Sequence, residues 1–151
     1  MNEKLIKLLA TGFGAGLAPV APGTTGTLVG VLICLIFPSL HWLPRLLIVI
    51  FLLVLAVYIA GRAEQVYGKK DDQRIVIDEI AGFQVAMLPV AITGLHLLVG
   101  FVLFRIFDIW KPFPLRNFQQ CAGGWGVVVD DIGAGVYAGA VMLMLVFFGV
   151  L

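Results

Sequence analysis

Residues 130–151 read DDIGAGVYAGAVMLMLVFFGVL, two adjacent aspartates followed by twenty residues without a charge. A run of about 20 apolar residues is long enough to cross the hydrocarbon core of a bilayer as a helix. Asp131, Gly135 and Gly139 recur every four residues, which places them on one stripe of that helix. Because glycine at this spacing favours close helix packing, the stripe is predicted to face a helical bundle and not lipid.

The rest of the chain is similarly apolar. Its 151 residues are 61% hydrophobic and 13% charged, whereas soluble domains carry about 25% charged residues. Apolar runs predict further membrane segments, and the five segments are residues 25–43, 44–60, 75–91, 95–107 and 132–151. Continuous runs favour helices over the alternating strands of a barrel. We therefore predict one all-α domain over residues 1–151, a polytopic membrane helical bundle with about five embedded helices and a short N-terminal interfacial helix over residues 3–9.

The basic residues predict an orientation. With the N-terminus in the cytoplasm, nine of the ten fall on the cytoplasmic side, as the positive-inside rule expects. They are Lys4, Lys7, Arg62, Lys69, Lys70, Arg74, Arg105, Lys111 and Arg116. Arg45 alone falls outside. The net charge of +1 gives no electrostatic case for nucleic acid as a partner.

Acidic residues at the ends of the apolar runs suggest a metal site. Five of the nine acids lie there: Asp78, Glu79, Asp108, Asp130 and Asp131. Ionised groups near hydrocarbon cost roughly 2.5–3.5 kcal/mol each and are retained where they face a bundle interior and have a function. Carboxylate oxygens are the ligands that Mg²⁺ prefers. Asp78 and Glu79 point about 100° apart on a helix, so only one of them is expected to face a given ligand directly.

Residues 104–112, FRIFDIWKP, place cations beside one of these acids. Arg105 and Asp108 share a helix face, and Lys111 follows. A carboxylate flanked by cations suits a site where phosphate meets a metal ion, although an interfacial salt bridge with extended basic side chains gives the same pattern. The loop over residues 12–26, GFGAGLAPVAPGTTG, offers backbone N–H groups to phosphate at a helix start, or serves only as structure.

Four stretches in series resemble the phosphatidylglycerophosphatase A family. They are GFGAGLAPVAPGT at 12–24, IVIDE at 75–79 with Gly82, FRIFDIWKP at 104–112, and GGWGVVVDD at 123–131 with Ala134 and Gly135. The resemblance implies a Mg²⁺-dependent lipid phosphatase of the bacterial inner membrane, and the orientation predicted from the basic residues puts its active site at the cytoplasmic face. It would convert phosphatidylglycerophosphate to phosphatidylglycerol and phosphate in phospholipid biosynthesis.

The same resemblance implies the roles of individual residues. The metal ligands are expected to be Glu79, Asp108, Asp130 and Asp131. The catalytic candidates are Asp78, Glu79, Asp108 and Asp131. Thr24, Arg105 and Lys111 are expected to contact the phosphate. The attacking group is either water or an aspartate, and water is favoured because nothing in the sequence marks one aspartate as a nucleophile.

Several alternatives and partners stay open at this point. A CDP-alcohol phosphotransferase would show Asp-Gly-x-x-Ala-Arg, which this chain lacks, and an ion-coupled transporter would place acids near mid-span, often with inverted repeats. The GxxxG stripes at Gly26 and Gly135 serve packing within one chain or in a homo-oligomer. Cys34 and Cys121 are predicted to be free thiols.

Overall fold

The computed structural model describes residues 2–118 and 123–151, with only the backbone of residues 117 and 118. Those residues form helices and no strand, which confirms the all-α prediction. The helices are α1 (Glu3–Ala10), α2 (Pro22–Ile36), α3 (Trp42–Tyr67), α4 (Ile77–Met87), α5 (Gly94–Trp110), the short α6 (Leu115–Phe118) and α7 (Gly124–Phe147), with a 3₁₀ turn at Ala15–Leu17.

Local sequence explains where the helices begin and end. Asn2 caps α1 by accepting a hydrogen bond from the Lys4 N–H at 3.1 Å, and Thr93 caps α5 by accepting one from the His96 N–H at 3.1 Å. Proline occupies the first position of α2 at Pro22, where its missing N–H costs nothing. Gly68 ends α3 in a left-handed conformation with φ 65°.

Helix α4 forms the centre of the fold. It has 11 residues and packs against α2, α3, α5 and α7. Glycines allow the closest approaches: a Cβ at Gly135 of α7 would collide with the Gly82 carbonyl oxygen, and one at Gly30 of α2 would lie 3.1 Å from the Phe83 ring. Both GxxxG stripes therefore pack against α4 within the chain.

Polar contacts fix the other end of α4. The Arg45 guanidinium at the start of α3 donates to the Val90 carbonyl at 2.9 Å and also to the Met87 carbonyl. Gln84 donates to the Gly30 carbonyl at 2.8 Å and accepts from Cys34 at 3.2 Å. Cys34 is a buried free thiol, as predicted. Cys121 lies outside the described residues.

Within the described residues, two helices are long and apolar enough to cross a membrane, α3 and α7, and not about five as the sequence predicted. Helices α2, α4 and α5 have 15, 11 and 17 residues, or about 22, 16 and 25 Å, against a hydrocarbon core of about 30 Å. Proline explains two early ends: α2 ends at Ile36 before Pro38, and α4 ends at Met87 before Pro89.

The two long helices expose much of their apolar surface. Phe51 and Val54 of α3 and Val136 and Phe147 of α7 are each more than half exposed. Contiguous exposed apolar surface marks contact with a membrane or a partner. The fold is therefore consistent with a membrane-associated protein, and the interfacial location of α1 stays a prediction.

Candidate active site

One cavity of about 570 Å³ lies at the end of the bundle where α2 and α4 begin and α5 ends. Helix α7 reaches the same place with its first eight residues, Gly124 to Asp131. Seven of the eight predicted site residues line the cavity: Asp78, Glu79, Arg105, Asp108, Lys111, Asp130 and Asp131. Residues distant in the sequence meet here because the helices run back and forth between two ends of the bundle.

Three carboxylates form the closest cluster in this cavity. Ligand oxygens of Asp78, Glu79 and Asp131 all lie within 4.8 Å of one another. Asp78 and Asp131 are buried, and Glu79 is half-buried. Gly82 permits the approach, because a Cβ there would lie 2.8 Å from the Asp131 carbonyl oxygen. We call these three residues the acid triad.

The acid triad differs from the arrangement expected of α4. The sequence predicted that only one of Asp78 and Glu79 faces a given ligand, but both contribute an oxygen to the cluster. Glu79 is longer by one methylene, and its carboxylate extends to the N-terminus of α2, where a Cβ at Gly23 would collide with Oε1. The prediction was wrong because the angle between two Cα positions on a helix does not determine where the ends of their side chains lie.

The other two carboxylates are paired with cations. Arg105 Nη1 donates to Asp108 Oδ2, and Lys111 Nζ donates to Asp130 Oδ2. Lys111 Nζ also lies 3.9 Å from Asp108 Oδ1. Burial lowers the pKa of Lys111, but the hydrogen bond to Asp130 and the nearby carboxylates outweigh it, so its pKa lies above the usual value. Lys111 therefore stays charged at neutral pH.

The acid triad fits a hard cation. Asp78 Oδ1 and Glu79 Oε2 are buried and have no hydrogen-bond partner among the described residues. A buried carboxylate oxygen without a donor is costly, and three carboxylates this close to one another are stabilised by a shared cation that prefers oxygen ligands. Arg105 Nε is likewise buried without an acceptor, which suits an anionic ligand beside the cation.

Sequence reasoning missed part of the cavity wall. Lys69, Asp71 and Gln73, in the loop between α3 and α4, also line it. Asp71 has φ 50°, and its N–H donates to Glu64 Oε1 at 2.8 Å, which holds the loop over the cavity. The sequence signal that could have indicated this part of the wall was the polar run shortly before the acids of α4.

Thr24 is the one predicted site residue that does not line the cavity. The preceding residues Pro22 and Gly23 line it instead. The hydroxyl of the next residue, Thr25, donates to the Ala15 and Pro22 carbonyls, both at 2.7 Å, and so ties the glycine-rich loop to α2. A phosphate contact by Thr24 stays a prediction.

Residues 8–146 match the family model described as Phosphatidylglycerophosphatase A. The chain belongs to this family. It is 35% identical over 140 residues to a Phosphatidylglycerophosphatase A of Escherichia coli (strain K12), covering 91% of this chain and 81% of that protein. It is 36% identical over 146 residues to a protein of the same name from Haemophilus influenzae (strain ATCC 51907 / DSM 11121 / KW20 / Rd), covering 95% and 90%.

A third relative carries a different name. The “Putative phosphatidylinositol-3-phosphatase” of Bacteroides thetaiotaomicron is 38% identical over 140 residues, covering 87% of each chain. No solved structure matches the chain. Membership of the phosphatidylglycerophosphatase A family makes the chain an enzyme, a phosphatase of the hydrolase class, and confirms the resemblance noted in its sequence.

Proposed function

We propose that the chain removes the terminal phosphate of phosphatidylglycerophosphate and gives phosphatidylglycerol in phospholipid biosynthesis. The names of two relatives that match over most of their lengths support this substrate. The observation that carries the proposal is the cavity itself, because it places the acid triad beside Arg105 and Lys111. A cation site next to two basic side chains is what a phosphomonoester dianion requires.

The acid triad would hold Mg²⁺. Glu79 and Asp131 belong both to the triad and to the ligand set predicted from the sequence, and Asp78 completes it. Asp108 and Asp130 are proposed to lie at the edge of the ion site, where their cations already balance them. A bound Mg²⁺ supplies positive charge to a phosphoryl oxygen and so stabilises the transition state.

The chain's own residues would bind and orient the phosphate. Arg105 and Lys111 exchange part of their pairing with Asp108 and Asp130 for bonds to the phosphoryl oxygens. The attacking group is proposed to be water, and the carboxylate oxygen of Asp78 that the ion leaves free would accept its proton. A covalent aspartyl-phosphate trapped during turnover would overturn this assignment.

The proposed location is the cytoplasmic face of a bacterial inner membrane, with several helices embedded. Arg105, Lys111 and Lys69 lie at the same end of the bundle as the cavity. Arg45 lies at the other end, beside the last carbonyls of α4. This distribution supports the orientation that the positive-inside rule predicts. Acyl chains would then stay in the bilayer while the headgroup enters the cavity.

A phosphate-release assay tests the proposal. Purified protein in detergent micelles is given phosphatidylglycerophosphate, phosphatidylinositol 3-phosphate or phosphatidic acid, each with Mg²⁺ or with EDTA. We expect the highest kcat/KM for phosphatidylglycerophosphate and loss of activity in EDTA. A preference for phosphatidylinositol 3-phosphate would instead align the chain with its Bacteroides relative, and full activity in EDTA would remove the metal from the proposal.

A further inference from the structure

A second cavity adjoins the active-site cavity. It measures about 520 Å³ and is lined by Trp110, Lys111, Pro112, Phe113 and Arg116. Lys111 lines both cavities, so the two cavities meet at this residue, whose ammonium group bonds to Asp130 on the active-site side. A ligand that reaches Lys111 from the active site therefore extends into the second cavity if it is long enough.

The walls of the second cavity combine a cation with apolar rings. Arg116 Nη2 donates to the Trp110 carbonyl at 3.2 Å, which holds the guanidinium at the cavity wall. Within residues 2–118 and 123–151, no carboxylate forms a salt bridge with Arg116. Trp110 is 62% exposed and Phe113 is 84% exposed. Exposed aromatic rings beside an unshared positive charge suit the headgroup region of a lipid, where phosphate meets the start of the acyl chains.

The proposed substrate carries more than one phosphate. Of the cations that line the active-site cavity, Arg105 and Lys111 are assigned to the scissile phosphate because they pair with Asp108 and Asp130 beside the acid triad, and Lys69 lies in the loop between α3 and α4. Phosphatidylglycerophosphate carries a second phosphate, the phosphodiester, on the far side of a three-carbon glycerol. Because the second cavity shares Lys111 with the active-site cavity, it is within reach of the remainder of such a headgroup.

We propose that Arg116 binds the phosphodiester of the lipid substrate and so determines specificity. The inference rests on the proposed function and names the part of the substrate that the second cavity recognises. Phosphatidylglycerophosphate and phosphatidylinositol 3-phosphate both have a phosphodiester beside the scissile phosphomonoester. Phosphatidic acid has the phosphomonoester alone. Arg116 therefore favours lipids with two phosphates over phosphatidic acid.

The alternative is that Trp110, Phe113 and Arg116 merely anchor the chain to any membrane surface. An anchor raises the local concentration of every lipid substrate equally, so its loss changes all rates in proportion. A phosphodiester site acts on the ratio of two rates. The ratio therefore separates the two explanations.

The test compares Arg116→Gln with wild type and with Arg62→Gln. Arg62 is exposed on α3, bonds to Gln65 at 3.1 Å and lines neither cavity, so its change removes the same charge elsewhere. The kcat/KM for each two-phosphate lipid is divided by that for phosphatidic acid. Arg116→Gln is expected to lower this ratio about tenfold, mainly through KM, since a charge-assisted hydrogen bond is lost. Arg62→Gln should leave it unchanged.

Binding of short-chain phosphatidylglycerol, which has the phosphodiester and no phosphomonoester, gives a readout without turnover. Titration calorimetry should show about tenfold weaker binding to Arg116→Gln than to wild type. An unchanged ratio, or unchanged binding of this lipid, overturns the role of Arg116. Wild-type protein that releases no phosphate from phosphatidylglycerophosphate overturns the proposed function instead, and unchanged binding of short-chain phosphatidylglycerol by Arg116→Gln still overturns the role of Arg116.

Discussion

At the scale of single residues, the five carboxylates that the sequence predicted for the site fall into two groups. Asp108 and Asp130 are paired with Arg105 and Lys111. Among the described residues, no cation forms a salt bridge with the acid triad. Three acids therefore lie close together in a largely buried position. Like charges at this separation repel strongly unless a cation or protons intervene. The two groups should therefore respond differently to substitution.

Asp131→Asn should abolish the Mg²⁺-dependent reaction without unfolding the protein. Asparagine keeps the size that packs against Gly82 but removes the charge. If the ion stabilises the transition state by several kcal/mol, kcat/KM should fall at least about 100-fold. Phosphate release and calorimetric Mg²⁺ titration measure both effects.

Asp108→Asn is the comparison for Asp131→Asn. Asp108 is held by Arg105, so this change is expected to alter the KM for lipid more than the Mg²⁺ concentration at half-maximal rate. Wild-type Mg²⁺ affinity and activity in Asp131→Asn would contradict the assignment of the acid triad.

Asp72 should contribute a pH-dependent part of the stability. The hydrogen bonds and charge of Arg74 hold the pKa of the Asp72 carboxyl below its usual value of 3.8. Since the folded pKa is the lower one, the stabilisation is present above about pH 3.8 and is lost as the pH falls through the folded pKa. At pH 6 the melting temperature of wild type should be up to about 2 °C higher than that of Asp72→Asn, and at the lowest pH the two melting temperatures should be equal. Thermal unfolding in detergent measures both. A constant difference at all pH values would contradict this.

The residue scale also shows how far sequence alone reached the site. Acids such as Asp108 and Asp130 could be recognised as site residues because an ionised group at the end of an apolar run costs free energy and is usually retained for a function. Their partners were only partly recognisable: Arg105 is three residues from Asp108 on one helix, but the pairing of Lys111 with Asp130 joins α5 to α7. Which carboxylates cluster and which pair with cations depends on packing between helices, and no sequence spacing encodes it.

At the scale of elements, α4 positions the site. Its N-terminus carries Asp78 and Glu79, and its opposite end is held by Arg45. Acidic residues in the first turn also complement the helix dipole. Helix α7 brings Asp131 to them only because Gly82 and Gly135 remove side chains from the contact. The depth of this contact therefore sets the geometry of the acid triad.

Gly135→Val should weaken both folding and catalysis. A Cβ at Gly135 would collide with the Gly82 carbonyl oxygen, so α7 must move away from α4 and carry Asp131 with it. Overpacking of this kind costs about 1–3 kcal/mol. Thermal unfolding and phosphate release are the measurements.

Gly94→Ala is the matched control for Gly135→Val. No atom lies within 4 Å of a Cβ built there, and it should leave unfolding and activity near wild type. Full activity of Gly135→Val would show that the α4–α7 contact does not set the geometry of the site.

At the scale of the whole molecule, the sequence predicted the order of the helices better than their lengths. Apolar runs located α2, α3, α4, α5 and α7, but a run does not show where a helix stops. Pro38 and Pro89 end α2 and α4 early, and α3 and α7 extend beyond the predicted segments into polar residues. These five helices are therefore unequal in length, from 11 to 26 residues. The shorter ones reach the cavity because they begin or end at it.

The orientation of the bundle in the membrane can be tested at two exposed positions on the hairpin formed by α2 and α3. Ser39 lies in the turn between α2 and α3, and Gln65 lies near the site end of α3. Each is replaced by cysteine in a Cys34→Ser, Cys121→Ser background and treated in intact cells with a membrane-impermeant thiol reagent. If α2 and α3 both cross the membrane and the site faces the cytoplasm, Ser39→Cys reacts at once and Gln65→Cys reacts only after permeabilisation. The reverse pattern would place the site outside, and protection of both in intact cells would mean that the 15-residue α2 does not carry its end across the bilayer.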